Sequence, residues 1–590
     1  MAQQNAFRWL LKNQLTYLIQ RIQKEVSISG SASDFTIMGL SNILDEIIKE
    51  KLDVKRAIRK LVRIINYILN PEDKIKIRIL LGYYYSKVGN SEKAITYFQD
   101  AINNSTRMNQ KCTGIELLCS IIKYLVKAGM NYYVKRAKRE ILEKLPLLPE
   151  EDQVCILSKL GIAIAGMDFG ESDFIITDAE QKLASMEEST KWINALNCLL
   201  LGYSKLYIGA EREQKIKSLL NRVFHLSKES SLQKRLTLLS RVIGIISLVD
   251  KARAEKILES LLIQARRFGL NGITYLINIV ESLSEVYDND LVIKICREID
   301  NIIELILEFD NSQKVVLLSK LLRNVYKIDP AYAQKIRRKI DFLFDESLFY
   351  GAVNIEFLQA IVSMLIELKS TDLLFATRKL RALVMYLENR IKNELKLIKI
   401  KSFLVGRLFR YYPKVVFKLL SDVTDFIKNL RQIEILNHYT DFLEIILNIS
   451  KADFNLAEEC IRKILRIIGK EEDIITKIDL LTALLPVLLK IGSSFGEQIL
   501  DYTQEIIESL PKTLKLVKQL KLAKEIISLD IQTAKKIIEK IILDDIGNYI
   551  NREYVLQLLK EVLREFHKHP EGRIWVKQIE IFVKDNFKSK

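Results

Sequence analysis

The chain has 590 residues, of which 49% are hydrophobic and 28% are charged, and its formal net charge is +17. Its 8 prolines and 21 glycines are few for this length, which argues against turn-rich sheets and disordered linkers and favours long helices joined by short turns. A chain this long forms several globular domains unless it is built from repeats that pack only on their neighbours.

The beginning of the chain predicts no secretory leader. Arg8 interrupts the apolar stretch of residues 1–12, and no small-residue cleavage site follows it. The longest apolar run, residues 480–489, contains Thr482 and is much shorter than the about 20 residues that a membrane helix needs. We therefore expect no membrane span and a soluble, cytoplasmic protein.

A short motif recurs along the chain, in which Asp or Asn is followed four residues later by Ala and then by a helical apolar stripe. Asp and Asn cap helices by accepting hydrogen bonds from the first free backbone N–H groups. A small Ala side chain one turn later lets the second helix of a hairpin approach the first closely. The seven copies begin at Asp53, Asn90, Asp250, Asp329, Asp372, Asp453 and Asp530.

The gaps between these copies are multiples of about 40 residues, which is the length of a helical-hairpin repeat. Weaker turn signals occupy the remaining positions of the period, near Gly129, Gly170, Gly209, Asp288, Pro413, Gly492 and Pro570. The expected fold is all-α, an α-solenoid of about fourteen stacked antiparallel helical hairpins that form a curved superhelix. In each hairpin a first helix precedes the turn and a second helix follows it.

Residues 78–102 resemble a tetratricopeptide repeat. The residues at the signature positions of that family are Leu81, Gly82, Tyr85, Gly89, Ala94, Phe98 and Ala101. Elsewhere the period is closer to the HEAT and armadillo range, so the subfamily stays open between tetratricopeptide-like and HEAT-like. The resemblance implies that first helices line a concave groove. It does not extend to the Lys/Asn clamp that holds peptide C-termini in some members, because the corresponding turn reads Ile79–Tyr83.

Positive charge is concentrated in residues 1–150, with a net charge of +11, and in residues 371–420, with a net charge of +9. On this basis we divide one continuous solenoid into four segments. These are N-terminal basic tetratricopeptide-like hairpins (1–150), central hairpins (151–370), basic hairpins (371–430), and C-terminal hairpins with a cap (431–590).

The second basic zone predicts a striped helix over roughly residues 390–411. Residues at spacings of three and four share one face, namely Lys392, Lys396, Lys399, Phe403, Arg407 and Arg410. Glu394 is the only acid inside this helix, so the stripe lacks acidic partners at i,i+4. The stripe is interpreted as an anion site for nucleic acid, an acidic peptide or a phosphorylated partner. A solvated face of a lysine-rich protein is the competing interpretation.

The first basic zone spans a predicted hairpin. Lys123 and Lys127 lie one turn apart on its first helix, and a second group opens its second helix, consisting of Lys135, Arg136, Lys138 and Arg139. This second group runs around the helix, so solvation is a competing interpretation here too.

No motif for catalysis, a cofactor or a metal is present. The six cysteines form no C-x-x-C pair and are expected to be buried thiols, namely Cys112, Cys119, Cys155, Cys198, Cys296 and Cys460. His567 and His569 flank a predicted turn without a cysteine to complete a metal set. The segment 166–173 is interpreted as an inter-helix loop.

We therefore expect a non-catalytic protein-interaction scaffold that binds a partner protein or peptide along its concave face. The alternative is a nucleic-acid-binding solenoid that uses the basic faces at 123–139 and 390–410. An enzyme would need a catalytic site built from residues without a recognisable motif. The sequence specifies neither the partner nor the oligomeric state.

Overall fold

The structure is a computed structural model, which describes the backbone of most of the chain. The described residues are 2–108, 111–187, 189–206, 209–265, 267, 269–285, 289–305, 310–326, 328–350, 353–429, 437–492, 495–543, 552–568, 572–573, 575–577 and 579. This part of the chain holds twenty-eight α-helices and one short 3-10 helix, Leu145–Leu147, and it contains no strand.

The helices follow one another with short connections. The first fourteen are α1 (Ala2–Ser29), α2 (Asp34–Lys49), α3 (Lys55–Ile65), α4 (Pro71–Lys87), α5 (Ser91–Thr106), α6 (Lys111–Ala128), α7 (Asn131–Lys144), α8 (Glu150–Ile164), α9 (Phe169–Ser185), α10 (Thr190–Leu206), α11 (Ala210–Glu229), α12 (Leu232–Val249), α13 (Lys251–Ala265) and α14 (Gly269–Glu285).

The other fourteen are α15 (Asn289–Leu305), α16 (Asn311–Val325), α17 (Pro330–Tyr350), α18 (Ile355–Thr371), α19 (Leu373–Arg390), α20 (Glu394–Leu408), α21 (Pro413–Asn429), α22 (Tyr439–Ser450), α23 (Phe454–Gly469), α24 (Ile474–Ile491), α25 (Phe495–Glu508), α26 (Lys512–Ile526), α27 (Ile531–Leu543) and α28 (Arg552–His567).

The even-numbered helices are the first helices of hairpins, and the odd-numbered helices from α3 onward are the second helices. From α4 to α17 each first helix packs on the second helix that follows it, and it also packs on the first helix of the next hairpin. The same two contacts recur from α22 to α27, and α1 packs on α2 and α3. This arrangement is the predicted all-α solenoid of stacked helical hairpins.

The helices group into two compact units. Unit 1 comprises residues 1–386 and 411–415, and unit 2 comprises residues 387–410 and 416–590. The division into four segments drawn from charge stays a prediction. None of the described helices is both long enough and apolar enough to cross a membrane.

The Asp/Asn-x-x-x-Ala motif caps a second helix at six of its seven positions. Asn90 Oδ1 accepts a hydrogen bond from Lys93 N at 3.1 Å, and Asp372 Oδ1 accepts one from Phe375 N at 3.0 Å. The same contact occurs at Asp250, Asp329, Asp453 and Asp530. The alanine of each of these six copies is buried. At Asp53 the contact is shifted by one residue, because Asp53 Oδ1 accepts a hydrogen bond from Lys55 N at 3.1 Å, at the first residue of α3, and Ala57 is only half-buried.

The weaker turn signals mark helix boundaries as well. Gly129, Gly209 and Gly492 have φ angles of +75°, +67° and +73°, a region that glycine adopts without strain. The turn predicted at Gly170 lies slightly earlier, because Asp168 caps α9. Asp288 and Pro570 lie outside the described residues, as does His569.

Two of the six cysteines form a disulfide, Cys155–Cys198, which corrects the expectation that all six are thiols. The two residues lie on α8 and α10 and are 43 residues apart, so one repeat period places them side by side with their Cα atoms 5.1 Å apart. The other four cysteines are free; Cys119, Cys296 and Cys460 are buried and Cys112 is half-buried.

Candidate functional site

The first and last hairpins of unit 1 are joined by an ion cluster in which Lys369 and Asp73 are buried and Asp34, Lys76 and Glu72 are partly exposed. Lys369 Nζ on α18 lies 3.1 Å from Asp73 Oδ1 on α4 and 3.7 Å from Asp34 Oδ2 on α2. Lys76 Nζ lies 2.8 Å from both Asp34 and Glu72. Lys369 and Asp73 are 296 residues apart in the chain, so these ion pairs close unit 1 on itself.

The polar groups of this cluster are well matched. Asp73 is fully buried, and its Oδ2 accepts hydrogen bonds from Ala32 N at 3.0 Å and from Ser31 Oγ. Burial alone raises the pKa of Asp34, but the Lys369 and Lys76 ammonium groups bring it below its usual range. Burial lowers the pKa of Lys369, but Asp73 and Asp34 raise it above its usual range. Asp34 and Lys369 are therefore charged at neutral pH.

An aromatic contact supports the same closure. The ring of Phe35, on α2, meets the ring of Tyr326 edge-on with their centres 4.9 Å apart, and Tyr326 directly follows α16. The Arg21 guanidinium of α1 lies 5.7 Å from the centre of the Phe35 ring. The start of the chain thus packs against the ends of α16 and α18.

A cavity of about 900 Å³ lies between the first helices of unit 1, next to the ion cluster and the Phe35–Tyr326 contact. Its walls come from first helices and the residues just after them, on α2, α4, α6, α10, α14, α16 and α18. Apolar side chains include Phe35, Met38, Tyr124 and Leu201, and cations include Lys205 and Arg323. A mostly apolar lining with a few polar groups is typical of ligand-binding cavities of this size.

Two lysines beside the cavity have no ion pair. A second depression of about 370 Å³ shares Lys76, Ser120 and Lys205 with the cavity. Its other charged residues are Lys123, Lys159, Glu72 and Glu116, which leave it with an excess of positive charge. Among the described residues no acid lies within ion-pair distance of Lys123 or Lys205, whereas Arg323 contacts Glu281 and Glu367. Desolvation, together with the charges of Lys127 and Lys205, lowers the pKa of Lys123 and outweighs the opposing effect of the Asp45 carboxylate. An anion at this place would relieve that repulsion.

The residues predicted in the first basic zone are divided between two helices. Lys123 and Lys127 lie on α6, where Lys127 Nζ is 3.3 Å from Asp45 and near the rings of Tyr83 and Tyr124. The predicted residues on α7 are exposed and do not line the cavity, namely Lys135, Arg136 and Arg139. The structure therefore does not bring the two halves of this zone together.

The helix of the second basic zone is shorter than predicted. Helix α19 ends at Arg390, and Asn393 Oδ1 caps α20 by accepting a hydrogen bond from Lys396 N at 2.8 Å. Lys392 therefore lies in the connection before α20, and Arg410 lies after its last residue. The expectation of one continuous helix from 390 to 411 is wrong because the Asn393 cap starts a new helix.

Acids on the neighbouring first helix neutralise part of the stripe. Lys399 Nζ lies 2.8 Å from Asp441 Oδ1 and 2.8 Å from Glu444 Oε2, both on α22. The sequence predicts that the stripe lacks acidic partners at i,i+4 on its own helix, and the acids that contact Lys399 come instead from the next hairpin. Lys396 and Arg407 are exposed, and the Arg407 guanidinium is 5.8 Å from the centre of the half-buried Phe403 ring.

Several charged residues that form buried ion pairs or line the cavity were not predicted from the sequence. Lys401 is buried and lies 2.8 Å from Glu388 and 2.6 Å from Asp422. Lys369 and Lys205 were missed as well. One signal in the sequence was available, because ion pairs between neighbouring first helices join residues about one repeat apart, from 37 for Lys524–Glu561 to 45 for Lys399–Glu444.

No described residues suggest a metal centre, since no group of three or more His, Cys, Asp or Glu side chains within them is arranged to hold an ion. The cavity has a mostly apolar wall that includes Lys205, and Lys123 lies in the adjoining depression.

Comparisons with known proteins identify no family. No family model matches the chain, and no curated protein is detectably similar to it in sequence. Ton1535 from Thermococcus onnurineus NA1 has 9% identity and a TM-score of 0.23, over 81% of this chain and 97% of that one. A homology model of the full-length AP-3 complex has 12% identity and a TM-score of 0.22, over 97% and 93%.

A circular tandem repeat protein with a novel repeat topology has 12% identity and a TM-score of 0.14, over 94% of this chain and 98% of that one. These likenesses are too weak to carry an inference about function.

Proposed function

We propose that the protein is a non-catalytic interaction scaffold, and that the cavity of unit 1 binds an extended acidic segment of a partner protein. The observation that supports this most directly is the pair of lysines without acidic partners, Lys123 and Lys205, beside an apolar cavity wall. A carboxylate of the partner would supply the missing charge, while its apolar neighbours would cover Met38 and Leu201.

The chemistry of the cavity favours a peptide over a small cofactor. Its walls come from seven first helices, so contacts are spread along a surface that suits an extended chain, as in other solenoids. Lysine recognises a carboxylate as a point charge without a fixed fork geometry, which tolerates several registers of a bound segment. We expect moderate affinity and strong dependence on salt.

The family assignment is part of this proposal. In the hairpin of α4 and α5, a Cβ atom at Gly82 would lie 3.0 Å from the Phe98 ring, so this glycine permits the close helix contact. That contact and the Asn90 cap agree with a tetratricopeptide-like unit. The remaining hairpins would then be diverged, HEAT-like relatives of the same repeat.

Nucleic-acid binding through α20 is the alternative. Lys392 and Lys396 are exposed and have no ion pair among the described residues, which keeps this option open. Lys399 is already neutralised by Asp441 and Glu444, so fewer phosphates are contacted than the sequence predicts. Each lost phosphate contact reduces the slope of log K against log salt by about 0.9 on duplex DNA.

Two matched double variants separate the two functions. Lys123→Glu with Lys205→Glu changes the cavity, and Lys392→Glu with Lys396→Glu makes the same charge change on the α20 side. Each purified full chain is used to capture partners from lysate with and without nuclease, and captured proteins are identified by mass spectrometry. We expect the cavity variant to lose partners that wild type and the α20 variant retain, regardless of nuclease.

Capture that disappears with nuclease, or that fails only in the α20 variant, would contradict the proposal and favour nucleic acid. A synthetic peptide from the captured partner then gives the affinity by fluorescence anisotropy, with its acidic residues changed to amides as the control. Turnover of a substrate by the purified protein would contradict the non-catalytic part of the proposal.

A cytoplasmic location is also a proposal. Disulfides such as Cys155–Cys198 are rare in the cytoplasm of most organisms, apart from heat-adapted ones. Thiol labelling in intact cells, followed by lysis and cell fractionation, tests both the compartment and the oxidation state in one experiment.

A further inference from the structure

Three cysteines occupy the same position in three consecutive repeats. Cys155 on α8 and Cys198 on α10 are 43 residues apart, and Cys112 on α6 precedes Cys155 by the same 43 residues. Helices α6, α8 and α10 pack side by side as successive first helices. The three residues therefore form a row that runs across the stack.

Two polar contacts establish this register independently of the cysteines. Between α6 and α8, Glu116 and Lys159 form an ion pair at 2.5 Å and are 43 residues apart. Between α8 and α10, Glu151 and Asn194 are hydrogen-bonded at 2.8 Å and are also 43 residues apart. Glu116 and Glu151 thus each contact the residue 43 positions later, and Cys112 lies one turn before Glu116. Further along α6, Cys119 Sγ lies 4.0 Å from Ile156 O of α8, which is 37 residues away.

The surroundings of the Cys112 thiol agree with that register. Burial, then the carboxylate of Asp152 on α8, then that of Glu116, raise the pKa of Cys112. Asp152 is three residues before Cys155, so the Cys112 sulfur lies near the same part of α8. Cys112 is also half-buried, which leaves it accessible, whereas Cys119 on the same helix is buried.

We propose that Cys112, Cys155 and Cys198 form a thiol–disulfide exchange site in which Cys155 is the shared member. The Cys112 thiol gives its proton to solvent, and its thiolate attacks Cys155 Sγ. The Cys112–Cys155 bond forms as the Cys155–Cys198 bond breaks, and the released Cys198 thiolate takes a proton. One disulfide and one thiol are present before and after, so no external oxidant is consumed.

The exchange moves the covalent link from the α8–α10 interface to the α6–α8 interface. Because the attacking species is the thiolate, exchange is slow at neutral pH and becomes faster as the pH rises toward the pKa of Cys112. This site does not depend on the proposed binding of an acidic segment.

Disulfide mapping of the oxidised full chain tests the proposal. The protein is incubated at neutral pH or at about pH 9, quenched with acid and N-ethylmaleimide, digested and analysed by tandem mass spectrometry. We expect Cys155–Cys198 at neutral pH, and a growing share of Cys112–Cys155 with alkylated Cys198 at the higher pH. The rate should rise up to about tenfold per pH unit below the pKa of Cys112.

Two single variants serve as matched controls on α6. Cys119→Ser should still show the exchange, and it removes the ambiguity of two cysteines in one peptide. Cys112→Ser should retain Cys155–Cys198 at both pH values. An unchanged Cys155–Cys198 disulfide with fully alkylated Cys112 in the wild-type protein at high pH would overturn the proposal.

A second experiment avoids reliance on the resident disulfide. Cys198→Ser is treated with oxidised glutathione, which is reduced to two glutathione thiols as Cys112 and Cys155 are oxidised to a disulfide. We expect this variant to lose two alkylatable thiols and to give the Cys112–Cys155 linked peptide, with its helix content checked by circular dichroism. Both thiols remaining free, or a link to Cys119 instead, would contradict the proposed row.

Discussion

The cations beside the cavity of unit 1 and those on α20 of unit 2 look alike in sequence but differ in what faces them. Lys123 and Lys205 have no acid within ion-pair distance among the described residues, whereas Lys399 contacts both Asp441 and Glu444. The difference teaches that charge in a stacked-hairpin protein is balanced across helices. The relevant neighbours lie about 40 residues away as well as three or four residues away.

The largest expected effect concerns the buried cation of unit 1. Lys369→Met leaves the fully buried Asp73 carboxylate without its cation, so we expect the free energy of unfolding of unit 1 to fall by roughly 3–5 kcal/mol. Hydrogen exchange measured by mass spectrometry on peptides of α4 and α18 reports this directly.

The matched control is Lys396→Met in unit 2, which removes an exposed lysine and should change stability by less than about 0.5 kcal/mol. Asp73→Asn combined with Lys369→Met should recover part of the loss, because no unpaired charge remains buried. If Lys369→Met exchanges like wild type in both helices, the ion cluster does not close unit 1.

An intermediate effect is expected within unit 2. Lys401→Met removes a buried ammonium group from Glu388 and Asp422, and we expect a loss of about 1–3 kcal/mol. Lys399→Met removes a lysine whose side chain is 40% exposed, and we expect about 0–1 kcal/mol. Urea unfolding followed by circular dichroism compares the two variants, and equal losses would show that burial does not distinguish these ion pairs.

A smaller effect is expected from the acids of α22, which reduce the positive charge that the basic residues of α20 present to an anion. Asp441→Asn with Glu444→Gln frees Lys399, so we expect binding to heparin or a labelled oligonucleotide to tighten several-fold at low salt, roughly 1 kcal/mol. Asp453→Asn with Glu472→Gln is the matched control, because it also removes two negative charges from unit 2 but does not change the acids that contact Lys399. Unchanged affinity in the double variant would mean that Lys399 does not face the bound anion.

The smallest expected effect is the pH dependence of the closure. The pKa of Asp34 is lowered in the folded protein, so its contribution is complete above the ordinary value of 3.8 and is lost as the pH falls through the lowered value. The pKa of Lys369 is raised, so its contribution is complete below 10.5 and is lost as the pH rises through the raised value.

Between these limits stability should be flat with respect to the Asp34 and Lys369 contributions, and the Lys369→Met variant should lack the alkaline decline that Lys369 causes. Urea midpoints measured across the pH range for both proteins check this. The same alkaline slope in wild type and variant would assign the decline to other groups.

Much of the architecture follows from the sequence because capping is local. Asn90, Asp250 and Asp372 each satisfy backbone N–H groups within their own helix turn, so a four-residue motif is enough to locate the turn. The repeat period then orders the helices without any knowledge of their contacts.

The candidate site was harder to predict from the sequence because its contacts join residues that are far apart in the chain. Lys369 lies 296 residues after Asp73. The repeat of about 40 residues relates neighbouring hairpins only, so it does not indicate that these two side chains meet. Lys123 and Lys127 were selected correctly as first-helix cations, but nothing in the sequence showed that Asp45 would pair with Lys127 and leave Lys123 unpaired. The Asn393 cap was present in the sequence and was missed within a strongly basic run.

The ion pair between Asp73 and Lys369 sets an order of events during synthesis. At about 5–20 residues per second, a ribosome adds the intervening 296 residues in roughly 15–60 s. Throughout that interval Asp73 has been translated and its Lys369 counter-ion has not. Asp73 on α4 therefore cannot form this ion pair until a residue encoded nearly 900 nucleotides downstream has been added to the chain.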